Sequence, residues 1–433
     1  MKTEKLYDNN PDLKEFSAVI AGVENTNEGI LIELDRTLFF PEEGGQSSDT
    51  GYMWIMKEEG DGRDDLSYPG TQGPETVDEE IAGLRIAHVL IKDGRIFHLA
   101  KPMRNAPENG PEASDSALKA GLSVRGRIDW ERRFSNMQNH TGEHILSGIL
   151  HRDYGSENTG FHLSDNIVTL DTSRQLDKAM IKELERKANE AVYADLPITC
   201  RYYGEEELKE IEYRSKKELN EDVRLVTIPG IDICACCAPH VSGTGQVGII
   251  KVISAINYKG GTRLTILSGR RAFEYLSAEH DITGELTHKL SVSPERLTEA
   301  VDKLMRQLND IKLEKAELAG KRLFKKLEEL PENEKNAVIF TEDTAVNNIT
   351  RRNAVNTLAK KYRGICAVFV GEGEYRFILA HPEGDARETA KLLKDKFGAR
   401  CGGSREMIEG SVCAGEEELR AFFRGYYSQP FGL

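Results

Sequence analysis

Residues 139–148 read NHTGEHILSG and set His140 and His144 four positions apart, with Glu143 between them. On an α-helix, residues four apart share a face. Both imidazoles could therefore reach one metal ion, or the helix could carry two solvated histidines. Further along, residues 232–248 read DICACCAPHVSGTGQVG and place Cys236 four positions before His240, ahead of a glycine-rich turn. Two helix nitrogens with a thiolate and an imidazole from one loop make a His₃Cys set, suited to tetrahedral zinc. Which sulfur binds is open at this level, because Cys234 and Cys237 compete with Cys236. The set needs neutral imidazoles and a thiolate, so binding should weaken at low pH. Four permanent protein ligands would make the ion structural, whereas a catalytic zinc keeps an open position.

Other residues could serve the same centre. Glu143 would suit a general base beside the ion, or it is one more solvated helix glutamate. His151 reads as a helix-end residue and His162, in TGFHLSD, as a candidate for pocket lining. Residues 39–51, FFPEEGGQSSDTG, contain Gly44-Gly45, a pair that permits unusual φ and close backbone approach. The plainer reading of that pair is a hairpin turn.

Composition frames these motifs. The chain has 433 residues, 39% hydrophobic and 30% charged, which describes a soluble globular protein with room for two to four domains. No apolar run approaches the ~20 residues of a membrane span. The first residues, MKTEKLYDNNPDLKEF, lack an apolar core, so no signal peptide and a cytoplasmic location are expected. Seven cysteines cluster unevenly, with Cys234, Cys236 and Cys237 inside four positions, a pattern of metal ligands or reactive thiols rather than disulfides. The net charge of −14 is concentrated: residues 55–80 hold two basic and nine acidic residues and read as an exposed loop insertion. Residues 249–275 hold five basic residues against one acid, and 335–364 six against two. Local basic patches, not the total, govern nucleic-acid contact.

The elements that must position the motifs follow from patterning. FSAVIAGV and GILIELDRTLFF are strand-like, and LRIAHVLIKDGRIFHLA reads as two strands turning at Asp93-Gly94. A polar, proline-containing segment at 101–116 reads as a linker. Ser135 is the expected cap of the histidine helix and Gly155 follows its end. Leu297, Val301, Leu304, Leu308 and Ile311 then form a heptad seam that stops by Pro331. Beyond residue 336, strands alternate with helices at 348–361, 386–396 and 416–424. The expectation is an α+β chain. A β-rich, barrel-like domain (1–115) precedes an α+β zinc domain (116–283), a helical heptad connector (284–331) and a C-terminal α/β domain (332–433).

The residues also resemble a known family. HTGEHIL and CCAPHVSGTGQVGIIKV are similar to the two zinc motifs of the editing domain shared by alanyl- and threonyl-tRNA synthetases. FFPEEGGQSSDTG resembles the glycine-rich motif of alanyl-tRNA synthetase and of free-standing alanyl-tRNA editing proteins, with Glu43 in place of a usual glycine. Ala238-Pro239 is closer to the threonyl form of the second motif. The heptad helix followed by CGGSREMIEGS resembles the C-terminal region of alanyl-tRNA synthetase, also found in DHH-family phosphoesterases. The likeness covers nearly the whole chain in family order, with no room before Phe39 for a class II catalytic domain, and matches the long form of the free-standing editing protein.

That resemblance implies a hydrolase that cleaves mischarged tRNA specific for alanine, chiefly carrying serine, with glycine as a second substrate. Its zinc ligands would be His140, His144, Cys236 and His240, one ion per chain. Gly44, Gly45 and Gln46 would line the amino-acid pocket, with Asp49 in support, and Gln46 and Glu143 are the expected catalytic side chains. tRNA contacts are expected at Arg132, Arg133, Lys259 and Arg263 near the site and at Gly402 and Gly403 in the C-terminal domain. No membrane partner is expected, and the heptad helix or C-terminal domain could pair two subunits. Competing readings are a zinc peptidase of the His-x-x-Glu-His type, which leaves the cysteine motif unexplained, and a tRNA-binding module with a structural zinc. S-ribosylhomocysteine lyase has a comparable His-Thr-x-Glu-His stretch but is far shorter.

Overall fold

The computed structural model describes residues 3–56, 80–102, 118–215, 223–331 and 334–425. Most of the acidic stretch 55–80 and of the linker 101–116, with the expected boundary at 115, lies outside the described residues. Backbone contacts divide the chain into two compact units, Met1–Ile282 and Thr283–Leu433.

In the first unit, strands β1 (Glu15–Thr26), β2 (Gly29–Leu34), β3 (Gly51–Met56), β4 (Glu80–Lys92), β5 (Arg95–Pro102) and β6 (Ser123–Ile128) close a barrel in the order β1-β2-β5-β4-β3-β6. Period-two patterning fixes which side faces in. Phe16, Ala18 and Ile20 are buried along β1 while Glu15, Ser17 and Val19 face out. The β4–β5 hairpin turns at Asp93 and Gly94, both at positive φ (51° and 74°), as a two-residue turn of this hand requires.

The histidine helix α1 (Trp130–Tyr154) begins earlier than the sequence suggests. Its cap is Asp129, whose Oδ1 accepts from the Arg132 amide at 3.2 Å, and it ends on Gly155 at φ 55°. Ser135 is therefore not the cap. It is buried one turn inside, where its Oγ accepts from Arg271 at 2.9 Å. Downstream come β7 (Asn158–Leu163), β8 (Val168–Thr172), α2 (Lys178–Tyr193), β9 (Thr199–Tyr203), β10 (Val223–Ile228), β11 (Asp232–Ala235), β12 (Ile250–Tyr258) and β13 (Gly261–Ser268). They form an antiparallel sheet β12-β13-β8-β7 and a smaller one β9-β10-β11. Two helix glycines let α1 lie close against both. A Cβ on Gly142 would meet Ser268 Oγ at 2.2 Å, and one on Gly148 would meet the Ile231 carbonyl at 2.4 Å. His140 and His144 sit in the stretch these contacts press inward.

Helix α3 (Arg270–Leu290) contains the boundary between units. The second unit holds α4 (Leu297–Glu328), β14 (Ala337–Thr341), α5 (Asn348–Lys361), β15 (Cys366–Glu372), β16 (Glu374–Ala380), α6 (Ala386–Phe397), β17 (Arg400–Gly403), β18 (Met407–Cys413) and α7 (Glu416–Gly425). The sheet runs β14-β15-β16-β18-β17, parallel only at β14–β15. One core face packs α5 and the last turns of α4 through Ala319, Leu323 and Leu327; the other packs α6 and α7. The earlier seam residues Val301, Leu304, Leu308 and Ile311 are exposed. Among the described residues no helix is long and apolar enough to cross a membrane.

Inside the barrel His98 is fully buried. Its Nδ1 donates to the Ile32 carbonyl at 2.9 Å and its Nε2 accepts from Thr37 Oγ1 at 2.9 Å, which suits the neutral ring. Burial pushes its pKa down to about 4, against the Ile32 bond that favours the charged form. A group whose folded pKa is depressed withdraws stability as pH falls, because the unfolded chain takes the proton first. The loss begins near the unfolded value of 6.5 and is complete below about 4, totalling about 3 kcal/mol. Denaturant unfolding followed from pH 7 to pH 4 should lose stability more steeply in the wild type than in His98→Gln; parallel curves would contradict this.

Candidate metal centre

Each imidazole at the centre is held from behind. His140 Nδ1 meets Gln46 Oε1 at 2.7 Å, His240 Nδ1 meets Thr141 Oγ1 at 3.0 Å, and His144 Nδ1 meets Asp232 Oδ2 at 2.9 Å. With the Nδ1 atoms so engaged, the Nε2 atoms carry the free lone pairs. Those of His140 and His240 lie 3.6 and 3.4 Å from Cys236 Sγ, and a ligand atom of each of His140, His144, Cys236 and His240 falls within 4.8 Å of all the others. A tetrahedral ion with bonds of ~2.0–2.1 Å to nitrogen and ~2.3 Å to sulfur needs donors ~3.3–3.7 Å apart; both separations to the sulfur meet this, and the chemistry of the donor set suits zinc.

Electrostatics agree with a site built for a cation. Burial, then the His144 and His140 rings, holds the His240 imidazole far below its usual pKa, and burial raises the Cys236 thiol well above its own. Burial thus disfavours charge on both of these groups, and a divalent ion would supply the charge that stabilises a thiolate. A second grouping, His144, Asp232 and Cys234, is also close enough for an ion. Its carboxylate is already committed, since Asp232 accepts from Arg214 Nε and a second guanidinium nitrogen at 2.8 and 2.7 Å as well as from His144.

Backbone supports fix the loops. Arg224 on β10 donates to the Cys236 and Ala238 carbonyls, both at 2.9 Å, and shapes the cysteine loop. The glycine-rich loop docks on β7 through Leu163 N to Gly45 O (2.7 Å) and Ser47 N to Leu163 O (3.0 Å). Gly45 sits at φ 85°, and a Cβ there would meet the Phe161 carbonyl at 2.5 Å, so only glycine fits. Asp49 and Arg133, both fully buried, form an ion pair that ties the same loop to α1.

His140, Glu143, His144 and Cys236 line a cleft of about 1230 Å³ together with Gly44, Phe161 and Arg214. Glu143 turns one carboxylate oxygen to Ser147 Oγ and to Asn158 Nδ2 (2.5 Å), and its Oε2 lies 4.0 Å from His144 Nε2.

Several expected residues stand elsewhere. Arg133 is not a surface cation, because Asp49 and the Leu38 carbonyl occupy its guanidinium in the interior. Arg132 is largely enclosed by Ser47, Ser48 and Asp165. His162 is exposed and faces away from the cleft, since strand alternation on β7 gives that side to Phe161, whose ring lies 4.9 Å from His140. Gln46 is fully buried and its contact is with His140 rather than with the open cleft. Lys259 and Arg263 stand on the β12–β13 hairpin around Tyr258, with Arg263 paired to Asp171 at 2.6 Å. Gly402 and Gly403 lie on the edge strand of the second unit. Sequence reasoning missed Thr141 and Asp232, which meet their histidines across 99 and 88 residues, and Arg214 and Arg224, whose partners are nearer in the chain but carry no local signature.

The family described as the threonyl and alanyl tRNA synthetase second additional domain matches residues 223–265, a stretch containing Asp232, Cys236 and His240. The chain is 27% identical over 434 residues to the alanyl-tRNA editing protein AlaX-L of Pyrococcus horikoshii, covering 96% of each chain. It is 33% identical over 258 residues to the alanyl-tRNA editing protein AlaX-M of Methanosarcina mazei, across 58% of this chain and 90% of that one. With the alanine–tRNA ligase of Pyrococcus abyssi it shares 28% identity over 432 residues, which is 95% of this chain but 42% of the ligase.

Because Asp232 orients His144 from behind, Asp232→Asn should weaken divalent-metal affinity ~10–100-fold. Competition against a chromophoric chelator measures this, and an unchanged affinity would contradict the orienting role.

Proposed function

The chain belongs to the family of alanyl-tRNA editing proteins, and on that premise we propose that it is a zinc-dependent aminoacyl-tRNA deacylase acting in trans. Its substrate is tRNA specific for alanine but charged with serine, and secondarily with glycine. The observation that carries this reading is the convergence of three imidazole nitrogens and Cys236 Sγ beside an open cleft. His140, His144, Cys236 and His240 would hold the ion. Zinc bound there would supply positive charge to polarise an ester carbonyl or a water molecule.

The chain's own groups do the rest. Gln46, Thr141 and Asp232 keep the imidazoles oriented as positioning residues. Glu143 has one oxygen engaged by Ser147 and Asn158, so Oε2 is the atom that takes a proton from an attacking water. An aminoacyl ester is already activated, and holding it against these groups lowers much of the barrier. Selectivity is the harder demand, since a synthetic pocket separates such similar side chains by only ~1–3 kcal/mol. A site that hydrogen-bonds a seryl hydroxyl would leave its own polar group unpaired against alanine.

The expected arrangement extends beyond the site. The barrel (1–115) and zinc domain (116–283) form the hydrolytic part, with Lys259 and Arg263 as phosphate contacts. The connector (284–331) and the C-terminal domain (332–433), with Gly402 and Gly403, aid tRNA grip or pair two subunits through the exposed seam. The cytoplasm, where charged tRNA is found, is the proposed location. One observation favours a second reading, a tRNA-binding module: four protein donors close a zinc site, as in structural centres. The peptidase reading fares worse, because a thiolate and a third imidazole stand where such an enzyme uses a carboxylate ligand.

Purified protein should release serine from seryl-tRNA specific for alanine and leave alanyl-tRNA and peptides intact. His144→Ala should cut deacylation by about 100-fold or more with tRNA binding retained, and Glu143→Gln should lower kcat by ~10²–10⁴. Seryl-tRNA untouched by the wild type would leave the binding module. Charge reversal at Lys259 and Arg263 should weaken tRNA binding and flatten its salt dependence; an unaltered slope would remove those residues from the interface.

A further inference from the structure

Glu43 is the unusual residue of the glycine-rich loop. It opens a four-residue turn, Glu43-Gly44-Gly45-Gln46, closed by Glu43 N to Gln46 O (3.3 Å) and Gln46 N to Glu43 O (3.1 Å), with the glycines at φ 63° and 85°. Residues paired directly across such a bridge project their side chains to the same side. Gln46 on that side holds His140 at 2.7 Å. Glu43 therefore stands beside the metal centre, and it lines the same cleft as Gly44, His140 and Cys236.

Its carboxylate is incompletely satisfied. Oε2 is buried and has no hydrogen-bond partner, and no cation pairs with Glu43 among the described residues. The nearby side chains are neutral or committed elsewhere. Burial, then the charge of the Glu43 carboxylate and a hydrogen bond to it, pushes the Cys237 thiol up to about 12, so Cys237 offers Glu43 a neutral donor but no counter-charge. The Tyr7 hydroxyl, also buried and without a partner, is raised by burial, then by Asp8 and Glu43. Arg224 is occupied by the Cys236 and Ala238 carbonyls, and Lys5, whose field reaches Cys237, makes no ion pair with Glu43. A carboxylate oxygen withdrawn from water without a counter-charge is costly unless a ligand supplies one. Glu143, the carboxylate next to the histidines, differs because Ser147 and Asn158 already donate to it.

We propose that Glu43 recognises the free α-ammonium group of the aminoacyl ester, so that the cleft accepts unblocked aminoacyl ends and rejects N-acylated or peptidyl ones. This rests on the deacylase reading and deepens it. An α-ammonium lies one carbon from the ester carbonyl, so a carboxylate beside the metal centre is within reach of it once the carbonyl is bound. It donates up to three charge-assisted hydrogen bonds, one of which Glu43 Oε2 can accept. N-acylation removes the charge and leaves the carboxylate unmatched.

The test uses two non-hydrolysable ligands: adenosine carrying seryl in a 3′-amide linkage, and the same compound N-acetylated. Calorimetric titration of the metal-loaded full chain should show the free amine binding ~10–100-fold more tightly. In Glu43→Gln the preference should fall to about threefold or less, with affinity for the acetylated ligand and thermal unfolding unchanged, and Glu43→Asp should restore part of it. Equal affinities in the wild type, no binding of either ligand, or a preference that survives Glu43→Gln would overturn the proposal. Hydrolysis of seryl-tRNA, measured alongside, reports on the deacylase reading separately, because ligand discrimination is read without turnover.

Discussion

Three hydrogen bonds to imidazole Nδ1 atoms hold the site together. They reach across 94, 99 and 88 residues of chain and bring together the glycine-rich loop, helix α1 and the strand β11 region. Each fixes a ring plane and leaves Nε2 with its lone pair aimed at a shared point. The rest of the first unit can be understood as support for those bonds. Gly142 and Gly148 let α1 approach both sheets, Gly45 lets the loop lie against β7, and Arg224 shapes the cysteine loop by its carbonyls.

Much of the charge in this unit is structural. Arg133 and Asp49 are both fully buried, a pairing whose desolvation cost offsets most of its attraction but whose disruption would leave a charge stranded. Arg214 and Arg271 likewise spend their donors on Asp232 and on Ser135, Asn136 and the Ser164 carbonyl. Counting arginines along the sequence therefore overstates what the surface can offer a polyanion. On the β12–β13 hairpin Lys259 and Arg263 flank Tyr258, with Arg263 also paired to Asp171.

Legibility in the sequence followed range. The His140/His144 and Cys236/His240 spacings are local, and the Asp93-Gly94 turn and the helices after residue 336 follow from short-range chemistry, so these were visible. The mixed α+β class with a barrel-like first sheet was visible for the same reason. What depended on distant partners was not. Burial turned Arg133 from an expected surface contact into an internal clasp. Strand parity exchanged His162 for Phe161 at the cleft. Asp129 won the cap from Ser135 because nothing in Trp130–Phe134 breaks a helix. The residues behind the imidazoles were invisible because an aspartate or threonine becomes an orienting group only when the fold delivers it.

The central claim is that one ion is gripped jointly by the helix histidines and the cysteine loop. X-ray absorption at the zinc edge of the native protein tests it most directly. One zinc per chain, with three nitrogen neighbours at ~2.0–2.1 Å and one sulfur at ~2.3 Å, is the predicted result. A chain without stoichiometric metal, or a first shell of oxygens or of two or more sulfurs, would contradict it.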